Sequence, residues 1–360
     1  MNAHDFFAAL PIPIIQAPMV GASGIEMAAA VSGVGALGSL AAGALAPDDL
    51  EAQVAELRQR LQAPFAVNLL VLRPARPNGE AVASAIARLA PWYAELGRAP
   101  PEPPNDFAPD FAAQLAALAR SAPPAASFTF GCLTPAETAS LRGAGVLVIG
   151  TATTVAEARA WAAAGADAIC AQGAEAGGHR GHFLAETEAS LVGTLALVPS
   201  ILAAVDLPVI AAGGVMDGRG VAAALALGAA AVQMGTGFLL TDESQISPAW
   251  RAAIEAAGED PTRLTRAFTG RHARGIENRF MRELRAVERE VPAYPVQNRL
   301  TQPLRAAAAA AGKAELLSLW AGQGVKLART GPAGALVQRW WGEAKLAAQS
   351  LEARTGPPSR

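Results

Sequence analysis

Three stretches of this 360-residue chain open alike: Gly143-Ala144-Gly145-Val146, Gly165-Ala166-Asp167-Ala168 and Gly228-Ala229-Ala230-Ala231. In each, a helix-ending glycine is followed closely by an apolar run of strand length. Such self-similarity is what a chain of repeated strand–helix units produces. Apolar runs that do not alternate with polar residues suit a parallel strand buried on both faces. Eight runs can be read, at 13–19, 36–40, 65–70, 127–131, 145–150, 167–171, 207–214 and 230–236. Helical patterns separate them. Asp48 to Leu61 places Leu50, Val54, Leu57 and Leu61 on one face. Thr134-Pro135-Ala136-Glu137 and Thr154-Val155-Ala156-Glu157 each pair an N-cap threonine with a capping glutamate. Eight strands alternating with helices close into an α/β fold of the (βα)8 barrel type. A doubly wound open sheet leaves the count of eight unexplained.

The rhythm breaks twice. Across 73–126, prolines cluster at 74 and 77, at 100, 101, 103 and 104, and at 123 and 124, around two Ala-rich helical stretches. This predicts an inserted excursion over one rim of the barrel rather than a linker. Past Asp242, Arg and Glu become frequent, with amphipathic stretches at 248–257, 304–311 and 314–319. The expected division is a barrel of 1–244 plus about 331–360, and a smaller, mainly helical lid of 245–330 over the barrel mouth. A last helix near 335–350 packs back on the barrel.

Composition narrows the chemistry. With 52% hydrophobic residues and a net charge of −2, the chain can bury a large core and offers no basic surface for nucleic acid or anionic membranes. The uncharged run Gly220 to Thr241 splits into a helix and a strand, so no membrane span is expected. Residues 1–10 lack the pattern of a secretion signal, and Cys132 and Cys170 sit in apolar surroundings without metal-type spacing. Both points lead to the expectation of a cytoplasmic protein with reduced core thiols. Lysine occurs only at 313, 326 and 345, which argues against Schiff-base chemistry on a barrel strand.

The sixth strand runs into Ala171-Gln172-Gly173-Ala174-Glu175-Ala176-Gly177-Gly178-His179-Arg180-Gly181-His182-Phe183. Glycines past a strand end let the backbone approach a ligand closely, and that end of a barrel strand is where chemistry is done. The bland alternative is a flexible turn. His179 is the candidate general base, since histidine titrates near working pH. His182 and His272 read as structural or surface groups. A metal pair of His179 and His182 with Glu175 or Glu186 is disfavoured, because Arg180 intervenes and Gly181 denies a helical face. No metal is expected. The turns after the seventh and eighth strands, Gly213-Gly214 and Gln233-Met234-Gly235-Thr236, suit a phosphate. Asp217-Gly218 opens the helix between them, whose N-terminus would add roughly 0.3–1 kcal/mol toward an anion. Asn68, near the end of the third strand, is aimed at a ligand. Gly33-Val34-Gly35-Ala36-Leu37-Gly38 spells the dinucleotide fingerprint, but a helix precedes it and a strand follows, so close helix–strand packing explains it better. No Gly-x-Ser-x-Gly elbow is present.

Several of these stretches together resemble the nitronate monooxygenase family, FMN-dependent barrel enzymes formerly grouped as 2-nitropropane dioxygenases. They are Pro13-Ile14-Ile15-Gln16-Ala17-Pro18-Met19, the Gln172 to His179 segment, Ala211 to Gly214, Gln233 to Thr236 and Leu319-Trp320-Ala321-Gly322-Gln323-Gly324. The similarity keeps its order over residues 12–326. It implies non-covalent FMN contacted by Asn68, Gln172, Gly177, Gly213, Gly214, Gln233, Met234, Gly235 and Thr236, with Met19 near the isoalloxazine. It also implies that His179 faces the substrate and that Tyr294 lines its pocket. The implied reaction converts alkyl nitronates, with nitroalkanes as a further class, and O2 to carbonyl compounds and nitrite. Two features depart from the family pattern. Leu70-Val71-Leu72-Arg73 stands where an aromatic and Cys-His often follow, and Tyr93 and Tyr294 are the only tyrosines. A flavin-dependent NAD(P)H reductase of a quinone or enoyl thioester, and a non-catalytic ligand-binding barrel, are the alternatives.

Overall fold

The computed structural model describes residues 2–73 and 77–355, so Pro74 of the first proline cluster lies outside the described residues. Eleven strands follow in chain order: β1 (Ile14–Gln16), β2 (Gly38–Ala41), β3 (Phe65–Leu70), β4 (Ala125–Thr129), β5 (Leu147–Ala152), β6 (Ala168–Gln172), β7 (Gly178–His179), β8 (Val209–Ala212), β9 (Ala231–Met234), β10 (Thr262–Thr265) and β11 (Ala273–Ile276). Eight of them form one parallel sheet in the order β1-β9-β8-β6-β5-β4-β3-β2. A parallel bridge between Ile15 and Leu37 joins its two ends, closing the expected barrel.

The period of two along each strand sorts side chains into two cores. Ile15, Ile149, Cys170, Ile210 and Ala212 point into the barrel. Ile14, Val148, Ile169, Val209 and Ala211 face the surrounding helices. Many inward residues are alanines, which leaves the barrel floor underfilled. The helix Ala3–Ala8 supplies the missing volume, placing Phe6 and Phe7 under the inner layer with their rings edge-on at 5.4 Å. Burying two such rings contributes about 1.5–3 kcal/mol each. This plug was not foreseen, since six residues carry too little periodicity to announce a helix.

Of the glycines of the rejected dinucleotide fingerprint, Gly38 serves helix–strand packing, Gly35 takes φ +91°, and Gly33 faces open space. A Cβ on Gly38 would lie 2.0 Å from the Ala28 carbonyl oxygen of the helix Ile25–Gly33. Strand limits moved where local chemistry decided them. β4 ends at Thr129 because Phe130 takes φ +78°, and Gly145, at φ +83°, belongs to the preceding helix end, so β5 starts at Leu147.

The C-terminal region is mostly helical, with helices Pro248–Glu255, Arg279–Leu284 and Val296–Ala310. It also contains β10 and β11, which the sequence reading missed. β11 pairs antiparallel with β7, placing Ala273 opposite His179. The expected helix over 314–319 is a single 3-10 turn, Ala314–Leu316. Its continuation is extended because the Leu319 carbonyl accepts from Ile276 N–H of β11 instead of closing a helical turn. The 73–126 excursion divides between two cores. Helix Gly79–Glu95 packs Leu89, Trp92 and Tyr93 into the C-terminal region, while helix Phe111–Ser121 packs on the barrel. Helix Ala333–Thr355 returns to the barrel against helices Gly218–Ala226 and Ile25–Gly33.

Candidate active site

The C-terminal tips of the barrel strands open into a cavity of about 290 Å³, roofed by residues of the C-terminal region. Met19, Asn68, Gln172, Gly177, His179, Gly213, Gly214, Gln233, Gly235, Thr236 and Tyr294 all line it. Of the sequence candidates only Met234 does not: its side chain points outward into the strand–helix layer, as the alternation along β9 requires. Cys170 also reaches the cavity wall, and both cysteines are free thiols.

One end of the cavity is made of backbone. Gly213 and Gly214 take φ +114° and +76°. The N–H groups of Gly214, Val215, Gly235 and Thr236 donate to no acceptor among the described residues. A short 3-10 helix starts at Thr236, immediately after β9. Unused donors converging at the ends of two adjacent strands make a cradle for an anion. The helix at Asp217-Gly218 does not contribute as expected. Its first donors are taken by carboxylates: Asp217 accepts from Arg219 and Gly220 N–H, and Glu343 accepts from Gly218 N–H at 3.1 Å. Thr236 Oγ1 accepts from Gly322 N–H at 2.9 Å, fastening the 320–324 segment across the mouth.

The Gly-rich loop after β6 is built from inside. Gln172 Nε2 donates to the His179 carbonyl at 3.0 Å, and its Oε1 accepts from Gly181 N–H at 2.8 Å. The same amide that lines the cavity therefore holds the loop's shape. Arg180 is fully buried and donates to the carbonyls of Gly173 at 2.7 Å and Ser190 at 2.8 Å. Glu157 corrects the expected second capping box. Thr154 Oγ1 does accept from Glu157 N–H, but the Glu157 carboxylate turns to Thr153 and to the N–H groups of Phe183 and Leu184. Burial alone would raise its pKa; those donors outweigh it and hold the group below the ordinary range. Asn68 Nδ2 donates to the Ser127 carbonyl and hydroxyl, at 3.1 and 3.0 Å.

At the other end sits His179, in a cage of rings. Phe130, Tyr294 and Trp320 have centroids 5.3, 5.5 and 5.6 Å from the imidazole. Its Nε2 lies 2.9 Å from Thr269 Oγ1, whose single proton can go to the Arg271 carbonyl at 3.1 Å. The carbonyl can only accept, so giving it that proton satisfies both groups. On this assignment Nε2–H donates to Thr269 and Nδ1 keeps the lone pair. Nδ1 engages no other described residue. His182 and His272 share Thr187 Oγ1, at 3.3 and 2.8 Å, outside the cavity lining.

Burial, then the positive charges of Arg271 and Arg305, push the His179 pKa down to about 3. Burial, then Arg271, pushes His182 down to about 4. Both rings are therefore neutral at pH 7. In the unfolded chain each binds a proton near pH 6.5. As pH falls below that value the unfolded state takes up protons first, so stability is complete above about pH 6.5 and declines toward pH 4. The melting temperature is expected to drop continuously between pH 7 and 4, with a shallower slope for His179→Asn. Melting curves identical at the two pH values would contradict the buried-neutral assignment.

The sequence reading missed Thr129, Phe130, Thr151, Asn298, Arg305 and Trp320 as wall residues, although Trp320 lay inside a quoted motif. Phe130 is a non-glycine residue in the left-handed region, a strained conformation found at functional sites. Arg305 could have been found from helical period. It lies four residues after Thr301 and three before Ala308, both buried.

The family model described as nitronate monooxygenase matches residues 4–341. A probable nitronate monooxygenase of Staphylococcus aureus (strain Newman) is 42% identical over 326 residues, covering 90% of this chain and 92% of that protein. A solved nitroalkane oxidase from Streptomyces ansochromogenes superposes with TM-score 0.90 at 43% identity, over 96% of this chain and 99% of that one. FabK from Thermotoga maritima is more distant, with TM-score 0.76 and 30% identity over 97% and 98% of the two chains. No described helix is long and apolar enough to cross a membrane.

Proposed function

The chain belongs to the nitronate monooxygenase family, and from that membership and the cavity's two unlike ends we propose that it is an FMN-dependent oxidoreductase that converts alkyl nitronates and O2 to carbonyl compounds and nitrite. The observation that carries the reading is the pairing of a backbone donor cradle with a ring-caged, neutral imidazole in the lining of the same cavity. The cradle fits a phosphate: its donors are unused, and side chains are kept out of its turn by two positive-φ glycines. The N–H groups of Gly214, Val215, Gly235 and Thr236 would hold the FMN phosphate. Asn68, Gln172, Gln233 and Met19 would border the rest of the cofactor. When bound, FMN supplies the electron acceptor that O2 regenerates.

The chain's own contribution is binding, orientation and charge. Tyr294, Phe130 and Trp320 exclude water from the imidazole face. His179 Nδ1 presents a lone pair toward the substrate, steered by Thr269 at Nε2. A neutral nitroalkane must leave its α-proton on Nδ1, creating an imidazolium beside two guanidinium groups, which the depressed pKa opposes. A nitronate arrives already deprotonated and avoids that step. Pre-formed nitronates are thus the preferred substrates, and nitroalkanes are secondary ones.

Anaerobic mixing of the FMN-loaded protein with an alkyl nitronate, and separately with NADH, tests the reading. Rapid loss of flavin absorbance with nitronate, restored by O2, together with a slow response to NADH, is expected. Rapid bleaching by NADH with none by nitronate would transfer the assignment to a reductase.

A further inference from the structure

We propose that Arg305 is the residue that selects the charge of the substrate, acting as the receptor for the anionic NO2 end of a nitronate; this rests on the function proposed above. Arg305 lies on helix Val296–Ala310, and its remaining accessible surface opens into the cavity. Its contacts are all to neutral groups. Nη1 donates to Ser318 Oγ at 3.3 Å, and Nη2 donates to the Asn298 carbonyl at 3.2 Å and Asn298 Oδ1 at 2.8 Å. Its Nε is buried without an acceptor among the described residues. No carboxylate of the described residues pairs with it; Arg180, also bonded only to carbonyls, has the charges of Glu157 and Glu175 acting on it, whereas no carboxylate acts on Arg305.

A guanidinium removed from water without a counter-charge is strongly disfavoured, and folded proteins keep such groups paired unless a ligand completes them. Arg271 does not relieve the deficit. It donates to the carbonyls of Arg180 and His182, lies over the Phe130 ring at 4.3 Å, and adds a second positive charge near His179, with Glu157 rather than the cavity supplying its opposing charge. Among the described residues, no Asp or Glu lines the cavity into which Arg305 opens. With both Nη2 hydrogens given to Asn298 and Nε sealed off from the cavity, the remaining donor is the second Nη1–H, which can give a planar, singly charged anion one charge-assisted hydrogen bond. The neutral nitroalkane has the same outline but no net charge, so Arg305 separates the two by charge rather than shape. Arg305 also disfavours an imidazolium at His179, and so acts twice against the neutral substrate.

The test uses the FMN-loaded protein and nitrate as a planar anionic probe, with binding followed by calorimetry and by perturbation of the flavin spectrum. Arg305→Gln keeps a donor for Asn298 but removes the charge. It is expected to weaken nitrate binding by about 10- to 100-fold, the range for losing a charge-assisted hydrogen bond. The ratio of kcat/KM for a nitronate to that for its parent nitroalkane should fall by a similar factor, and Arg305→Lys should restore part of both. A folded, flavin-replete Arg305→Gln protein with unchanged nitrate affinity and unchanged ratio would overturn the proposal. So would selective loss of FMN, which would assign Arg305 to the cofactor. Should Arg305→Gln fail to fold, the wild-type protein decides: nitrate must bind at least about tenfold more tightly than nitromethane, and equal affinities overturn the assignment. Nitrate binding that depends on Arg305 in a protein that does not oxidise nitronates would leave the anion receptor standing and reject the function.

Discussion

Replacing His179 by asparagine is expected to leave a folded, yellow protein whose kcat/KM toward neutral nitroalkanes falls by about 10²–10⁴-fold, or roughly 3–5 kcal/mol of barrier. The size follows from what the side chain supplies. Nδ1 is the one basic lone pair at the caged end of the cavity, and asparagine has none of comparable basicity. Asparagine is too short to replace the Nε2 bond to Thr269, but the loop is held at its backbone by Gln172, which donates to the residue 179 carbonyl and accepts from Gly181 N–H, so it should keep its course. Pre-formed nitronates require no proton removal and should lose far less. The two substrates therefore separate the roles of base and neighbour. Steady-state kinetics on a nitroalkane and its nitronate, at matched FMN content, checks this. Nitroalkane turnover within a factor of two of wild type would remove the base assignment.

Gly213→Val is expected to abolish FMN retention. At φ +114° a β-branched residue is strained regardless of space, and here there is little space. A Cβ would lie 3.1 Å from Thr194 Oγ1 and 3.2 Å from both Ala176 N and the Gly173 carbonyl oxygen. Those atoms belong to the loop after β6 and to the start of helix Thr194–Leu202, which back the Gly213-Gly214 turn, so relief of the clash pushes that turn and displaces the Gly214 and Val215 donors. A loss of two or more charge-assisted hydrogen bonds raises the FMN Kd by about 100-fold or more, roughly 3 kcal/mol. The variant should purify colourless, with its far-ultraviolet circular dichroism intact. Stoichiometric FMN after gel filtration would show that the phosphate is held elsewhere.

Much of this was legible because repetition in the sequence maps onto repetition in the fold. Residues such as Val148, Ile169 and Val209 announce strands buried on both faces, and helix-ending glycines at 145, 165 and 228 mark where each unit turns. The cavity walls from the sixth, seventh and eighth strand ends were named from glycines and one histidine, since small residues past a strand tip have few other uses. What escaped depends on contacts distant in sequence. β11 has no strand signature of its own; it is extended because β7 and Trp320 lie beside it. Glu157 sits in a capping pattern, yet the neighbouring Thr153 N–H and two N–H groups from a distant segment, those of Phe183 and Leu184, claim its carboxylate. Arg305 is one arginine among many until the fold withholds a partner from it. The helix at Asp217 could not be credited to an anion once its own carboxylate and Glu343 had taken its donors.

The most direct test of the account is a crystal structure of the FMN-loaded protein. It should show the phosphate within hydrogen-bond distance of the Gly214, Val215, Gly235 and Thr236 nitrogens, with His179 Nδ1 facing an open space beside the isoalloxazine. A phosphate bound away from those turns, or an imidazole sealed off from the ring, would contradict it.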